Sequence, residues 1–339
     1  MKRTLRQFCS FGQGRVPFAV ALVMGVAGVC LAIFSVVVRS VGLKFCAAAA
    51  VGALNLLLFS VFIRPEIARI NAFIFLQNVF HIGTHGASFY FFTDSAEQYR
   101  DGPHFSATFF VTTLGSVASV FGLFGIVSYN IFAKEWRYRY LLTVGSLAFM
   151  AVNCLSALVF LRFNLQLHIP DWLFMLASSA MQSVISQMTW MPCTVMLAQL
   201  CPRGLESTMY ALMGGSMNLG MAVSNYAGAF LLQELGVNPR GADSEGAQFD
   251  NLWIAALISA CGPCVPLFLV AKLIPDASQR DCLLEDGDRS SATVGSLFEQ
   301  WYGTAVGAGG YDRVSGASSV NSGSATSVDL PESIIGKAA

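Results

Sequence analysis

Charge is scarce in this chain. Lys, Arg, Asp and Glu make up 12% of its 339 residues, against about 25% in a soluble globular domain. Twenty basic residues balance twenty acidic ones. Neither sign is in excess, which argues against nucleic acid as a partner. Familiar catalytic signatures are missing as well: the chain has no GxSxG, no P-loop and no HExxH. No pair of carboxylates falls inside an apolar run, which excludes aspartyl-type proteolysis within a membrane. The expectation is a protein that is not an enzyme and needs no cofactor.

A disulfide framework is lacking too. The nine cysteines fall mostly inside apolar runs and none lies in the longer polar loops. Cys261 and Cys264 form a CxxC in mid-run with no histidine nearby, which reads as packing rather than metal or redox chemistry.

What the chain has is apolar residues, 55% of the total. A bilayer-crossing helix needs about 20 of them in sequence. Eight stretches qualify: 16–38, 45–63, 71–92, 105–133, 140–161, 172–200, 209–232 and 252–271, none with an Asp, Glu, Lys or Arg. The N-terminal stretch is longer than a signal-peptide core of roughly 7–15 residues, so it reads as a retained span. The expected fold is an all-α membrane bundle of eight helices. It comprises an N-terminal segment (1–15), a transmembrane body (16–274) and a cytoplasmic, largely disordered tail (275–339) rich in Ser, Gly and Ala.

Lys and Arg in short loops set orientation. One side holds Lys2, Arg3, Arg6, Arg15, Arg64, Arg69, Lys134, Arg137, Arg139 and Arg203. The other holds Arg39, Lys44, Arg100, Arg162 and Arg240. Ten against five puts the first side, with both termini, in the cytoplasm, and the plasma membrane is the expected location. Both longer loops on the opposite side are acidic: Asp94, Glu97 and Asp101 in one, Glu234, Asp243, Glu245 and Asp250 in the other.

Polar residues inside spans are costly and mark substrate paths or interhelical bonds. In the third span, Asn78, His81 and His85 share an arc of about 60° on a continuous helix, with Gln77 on its shoulder. Either they meet a polar ligand, with a histidine able to take a proton, or they bond neighbouring helices. A metal site is disfavoured, because no carboxylate or thiol stands beside the histidines. The sixth span carries Ser179, Gln182, Ser183, Ser186, Gln187 and Trp190 on a face of about 140°. Amides and hydroxyls beside an aromatic suit a flat heterocycle, or serve as interhelical bonds. Pro192 should kink that span. In the seventh span Asn218 aligns with Asn225, and Gly214, Gly220 and Gly228 favour close packing.

The segment Gln187 to Val237 contains Met191-Pro192 within a helix and a Leu200-Cys201-Pro202 loop. Glu206, Thr208, Ala211 and Leu212 follow, then Asn218-Leu219-Gly220. This pattern resembles the folate–biopterin transporter family, and Tyr129 to Lys134 resembles that family's loop after its eighth helix. The likeness covers about residues 60–275. It implies a major-facilitator-type bundle in two halves that moves folates or pterins, commonly by proton symport. It aligns the third span with the family's seventh helix, so the first four helices lie outside this chain. A partial first half and a complete second half would then follow, with a second polypeptide a candidate source of the remaining helices. The substrate-binding residues expected are Asn78, His81, His85, Gln182, Gln187 and Asn218. The expected partners are a small folate or pterin solute and the lipid bilayer. Transport of another organic solute, or a truncated, non-transporting role, stays open.

Overall fold

In lipid a backbone finds no water to bond, so each apolar run must satisfy its own amides. All eight runs are helical over most of their length. The computed structural model describes residues 15–202, 205–281, 283 and 292–301, and among them no strand occurs beyond one isolated bridge between Arg137 and Ser278. The first two spans are α1 (Arg15–Val37) and α2 (Val41–Phe62), the latter capped by Ser40, whose side chain accepts from Leu43 N. The third run forms α3 (Pro65–Phe80) and α4 (His85–Thr93). The fourth is α5 (Leu114–Ser128), extended by π turns Phe109–Thr113 and Tyr129–Ala133. Then come α6 (Tyr138–Ala157), the short α7 (Phe163–Gln166), α8 (Asp171–Leu200) and α9 (Glu206–Glu234). The last run opens as α10 (Leu252–Cys261), tightens into 3-10 turns at Gly262–Cys264 and Pro266–Leu269, and ends in α11 (Val270–Leu273). Pro263 and Pro266 each lack an N–H, which accounts for the tighter winding there.

Five of these helical stretches are long and apolar enough by themselves to cross a membrane: Arg15–Val37, Val41–Phe62, Phe109–Ala133, Tyr138–Ala157 and Gly246–Leu273. The helices α8 and α9, at 30 and 29 residues, exceed the length needed but are diluted by amides, hydroxyls and glycines. Helix α8 continues through Pro192 to Leu200. The chain is a multi-pass integral membrane protein. Helices α5, α6 and α8 pack together, as do α1, α2, α3 and α9; α3 also touches α8, and α10 touches α6 and α9. Phe18, Leu22, Val29 and Ile33 on α1 stay exposed, a face suited to lipid.

The third span departs from expectation, because it is not one helix. Residues 81–84 are non-helical. Two close approaches stand at the interruption. A Cβ at Gly228 of α9 would lie 1.8 Å from Gly83 O, and one at Gly262 would lie 1.9 Å from Phe80 O. Only glycine lets these backbones meet. Two of the carbonyls at the break are bonded from neighbouring helices. Ser224 Oγ donates to His81 O, Ser259 Oγ donates to Ile82 O at 2.5 Å, and Gly83 N donates to Ser224 O at 3.3 Å. Gly214 and Gly215, by contrast, have nothing within 4 Å of an added Cβ.

The two ends of the bundle differ in charge. At one end Arg69, Arg139, Lys272 and Glu66 line a common depression of 150 Å³. There the chain after α11 is tied down rather than loose from residue 275. Tyr138 N donates to Ala277 O at 2.9 Å, Arg139 Nε to Ile274 O at 2.8 Å, and Gln199 Nε2 to Gln279 O at 2.9 Å. Tyr129 OH reaches Gln279 Oε1 at 3.0 Å, and Arg137 pairs with Asp276 at 2.8 Å. Further along, Arg64 N donates to Ala292 O at 2.9 Å and Phe298 packs on Phe62. Lys2, Arg3, Arg6, Arg203 and the tail 302–339 lie outside the described residues. At the opposite end the two acidic loops meet: Ser244 N donates to Glu97 O at 3.1 Å and Glu245 N to Gln98 O at 2.8 Å.

Gly228→Ala and Gly262→Ala should each lower the melting temperature of the detergent-solubilised protein, by an overpacking cost of about 1–3 kcal/mol or more. Gly215→Ala, in open space, should leave it unchanged. Equal melting of all three variants would remove the backbone contacts described here.

Candidate functional site

The break in the third span leaves α3 ending beside α6 and α8. A cavity of about 210 Å³ opens there, lined by Gln77, Asn78 and His81, by Ser146 and Phe149 of α6, by Ser186, Thr189 and Trp190 of α8, and by Pro263. Glycine brings α6 and α8 together at its wall, since a Cβ at Gly145 would meet Thr189 Oγ1 at 2.4 Å. Gln77 Nε2 donates to Ser146 Oγ at 2.7 Å. Its Oε1 is buried and has no partner. Such an acceptor is costly unless a donor arrives. Asn78 Nδ2 donates to Ile74 O at 2.8 Å. The His81 ring lies 5.3 Å from that of Phe149.

A second, more open cavity of about 480 Å³ lies on the α5–α8 face, lined by Ser119, Ser179, Gln182, Ser183 and Gln187. It shares Phe149 and Ser186 with the first, so the two adjoin. Gln182 Nε2 donates to Ser156 Oγ at 3.2 Å and to Ser178 Oγ at 3.1 Å, which ties α8 to α6. Gln187 packs along Gly122 of α5, its Cγ 3.6 Å from where a Cβ would stand.

The six expected site residues therefore divide. Asn78 and His81 share the first cavity, and Gln182 and Gln187 share the adjoining one. His85 opens α4 as an exposed residue and lines none of these spaces; the break at 81–84 ends the helical register that would align it with His81. Asn218 lines a separate, mainly apolar cavity of about 520 Å³ between α1 and α9, with Met24, Leu31 and Tyr226. Ser146 escaped the sequence reading, because a lone serine in an apolar run carries no periodic signal. Thr189 escaped for the same reason. Asn55 and Asn71, each 1% exposed, are buried amides of the core; Asn55 Nδ2 donates to Ser216 Oγ at 2.9 Å. Cys264 packs its sulfur 3.1 Å from that of Met150.

Sequence comparison adds independent findings. The model of the BT1 family matches residues 19–294. The chain is similar to "Probable folate-biopterin transporter 6" of Arabidopsis thaliana, 30% identical over 220 residues, covering 65% of this chain and 41% of that relative. It is also similar to "Folate-biopterin transporter" of Synechocystis sp., 30% identical over 200 residues, covering 54% and 39%. "Folate transporter 1" of Plasmodium falciparum is 26% identical over 170 residues, covering 49% and 32%. The chain thus spans about two fifths of the length of these folate–biopterin transporter relatives. No solved structure gives a significant match.

Ser146→Ala should strand Gln77 and cost about 1 kcal/mol, read as a lower melting temperature. Adding Gln77→Leu should recover part of that loss in a double-mutant cycle. Additive losses would mean that the two side chains do not interact.

Proposed function

The chain belongs to the BT1 family, and on that premise we propose that it is a membrane carrier of folate- or pterin-type solutes. The observation that carries this reading is the interrupted third span, which sets Gln77, Asn78 and His81 along a cavity flanked by hydroxyls and an indole. Carriers use discontinuous helices near the bilayer midplane for this purpose, because a helix break exposes polar groups where a substrate can meet them. A pterin ring is flat and carries donors and acceptors on its edge. Trp190 offers a stacking surface, and Gln77, Asn78 and Ser186 offer edge partners.

Size refines the proposal. Pockets for drug-sized ligands run about 300–1,000 Å³, and the first cavity holds 210 Å³. It suits the pterin head, while the tail of a folate would extend into the adjoining space beside Gln182 and Gln187. In lipid the polar face of α8 needs cover. The proposed transport unit therefore includes further helices packed against it, on the same polypeptide or a second one. A two-half, major-facilitator-type arrangement with proton symport is part of this reading. So is an orientation with the basic end and both termini in the cytoplasm of a cell bounded by the plasma membrane, as the Lys and Arg bias supports.

Uptake of labelled folate and biopterin into cells expressing the chain tests the proposal. Uptake above background, competed by unlabelled pterin, is expected. His81→Ala combined with Gln182→Ala should reduce it roughly tenfold, the effect of about 1.4 kcal/mol. Competition by an unrelated solute alone would favour a different cargo. A membrane-inserted chain without uptake would favour a non-transporting role.

A further inference from the structure

One buried carboxyl has no part in the site described so far. Asp94 ends α4, its N–H donating to Tyr90 O at 2.9 Å. It lies nine residues from His85, about 13 Å along the half-helix that leads away from the cavity. The residue is 4% exposed, and its Oδ2 is buried with no hydrogen-bond partner. An ionised carboxylate oxygen without a donor there is unfavourable relative to the protonated form.

Its surroundings are the junction of the two acidic loops. Besides the two backbone bonds already described, Ser95 N donates to Gln98 Oε1 at 2.8 Å and Gln98 Nε2 to Gly241 O at 2.6 Å. The charged or titratable groups acting on Asp94 are Glu245 from one loop and His104 from the other. Backbone N–H groups of Arg240 and Gly241 bond the Glu245 carboxylate at 2.8–3.0 Å, which holds its ionisation below the usual range. His104 Nδ1 lies 2.7 Å from Asp94 O. Burial, then the nearby Glu245 charge, push the Asp94 carboxyl above its ordinary range, and His104 opposes them. Beneath the junction Phe91 is fully buried among Phe92, Tyr99, Phe160 and Phe249, so the loops lie over an aromatic plug.

We propose that Asp94 is a proton-binding site at the acidic mouth of the protein, whose occupancy holds the two acidic loops together over the aromatic plug. The proton passes between the carboxyl and water on that side, with no other bond made or broken. When it leaves, a carboxylate with one buried, unpartnered oxygen repels the nearby Glu245 charge and the loops separate. The sign follows from linkage: closure is fully favoured below the ordinary aspartate value of 3.8 and is lost as pH rises through the raised value. Coupling of this proton to solute movement rests on the carrier reading; the binding of the proton does not.

The test is infrared titration of the full chain in lipid nanodiscs, following the carbonyl band of protonated carboxyls. Wild type should show a component titrating above the ordinary aspartate range. Asp94→Asn, close in size and shape, should lose it. Glu245→Gln should keep it and shift its midpoint to lower pH, which a purely structural Asp94 would not do. An unchanged component in Asp94→Asn would overturn the proposal, and so would an unmoved midpoint in Glu245→Gln. In parallel, labelled-folate uptake should lose its pH dependence in Asp94→Asn. Intact Asp94 titration without any uptake in wild type would reject the carrier reading and leave the proton site standing.

Discussion

The structure turns on how four residues in the third span satisfy their backbone within lipid. Unbonded carbonyls there cost several kcal/mol each, so a helix can break only where neighbours supply donors. Ser224 and Ser259 supply them, and Gly228 and Gly262 bring their helices close enough to do so. Without that set, α3 and α4 would run on as one helix. His81 would then leave the position in which it ends α3 at the cavity wall.

The remaining features follow outward from this point. The first half of the span carries Gln77, Asn78 and His81 to the cavity. The second half runs to the acidic loops, where the aromatic cluster around Phe91 and the buried Asp94 lie. At the far end, the stretch after α11 joins the ends of α5, α6 and α8 through Gln279, Ala277 and Ile274. The second half-helix packs its Phe91 and Phe92 into a cluster of its own with Val159, Val237 and Phe249.

Much of this was legible in the sequence. Eight uncharged apolar runs dictated the spans, and the Cys201-Pro202 to Leu212 segment carried the family. The amides of α8 recur at helical spacing, which placed Gln182 and Gln187 on one face from the sequence alone. The break was not legible, because Phe80-His81-Ile82-Gly83 contains no proline and a lone glycine within an apolar run does not by itself end a helix. Its cause lies in glycines and serines about 140 to 180 residues later in the chain. For the same reason His85 and Asn218 were grouped with the site: periodicity assumes one unbroken helix and cannot choose which neighbour a face meets. Asp94 was overlooked because it falls two residues past an apolar run and looks like an ordinary loop acid until its burial is seen.

Backbone chemical shifts of His81, Ile82, Gly83 and Thr84, measured by solid-state NMR in bilayers, test the central claim most directly. Non-helical shifts at these four residues, between helical values for 65–80 and 85–93, are predicted. Helical shifts running unbroken from 65 to 93 would contradict the account.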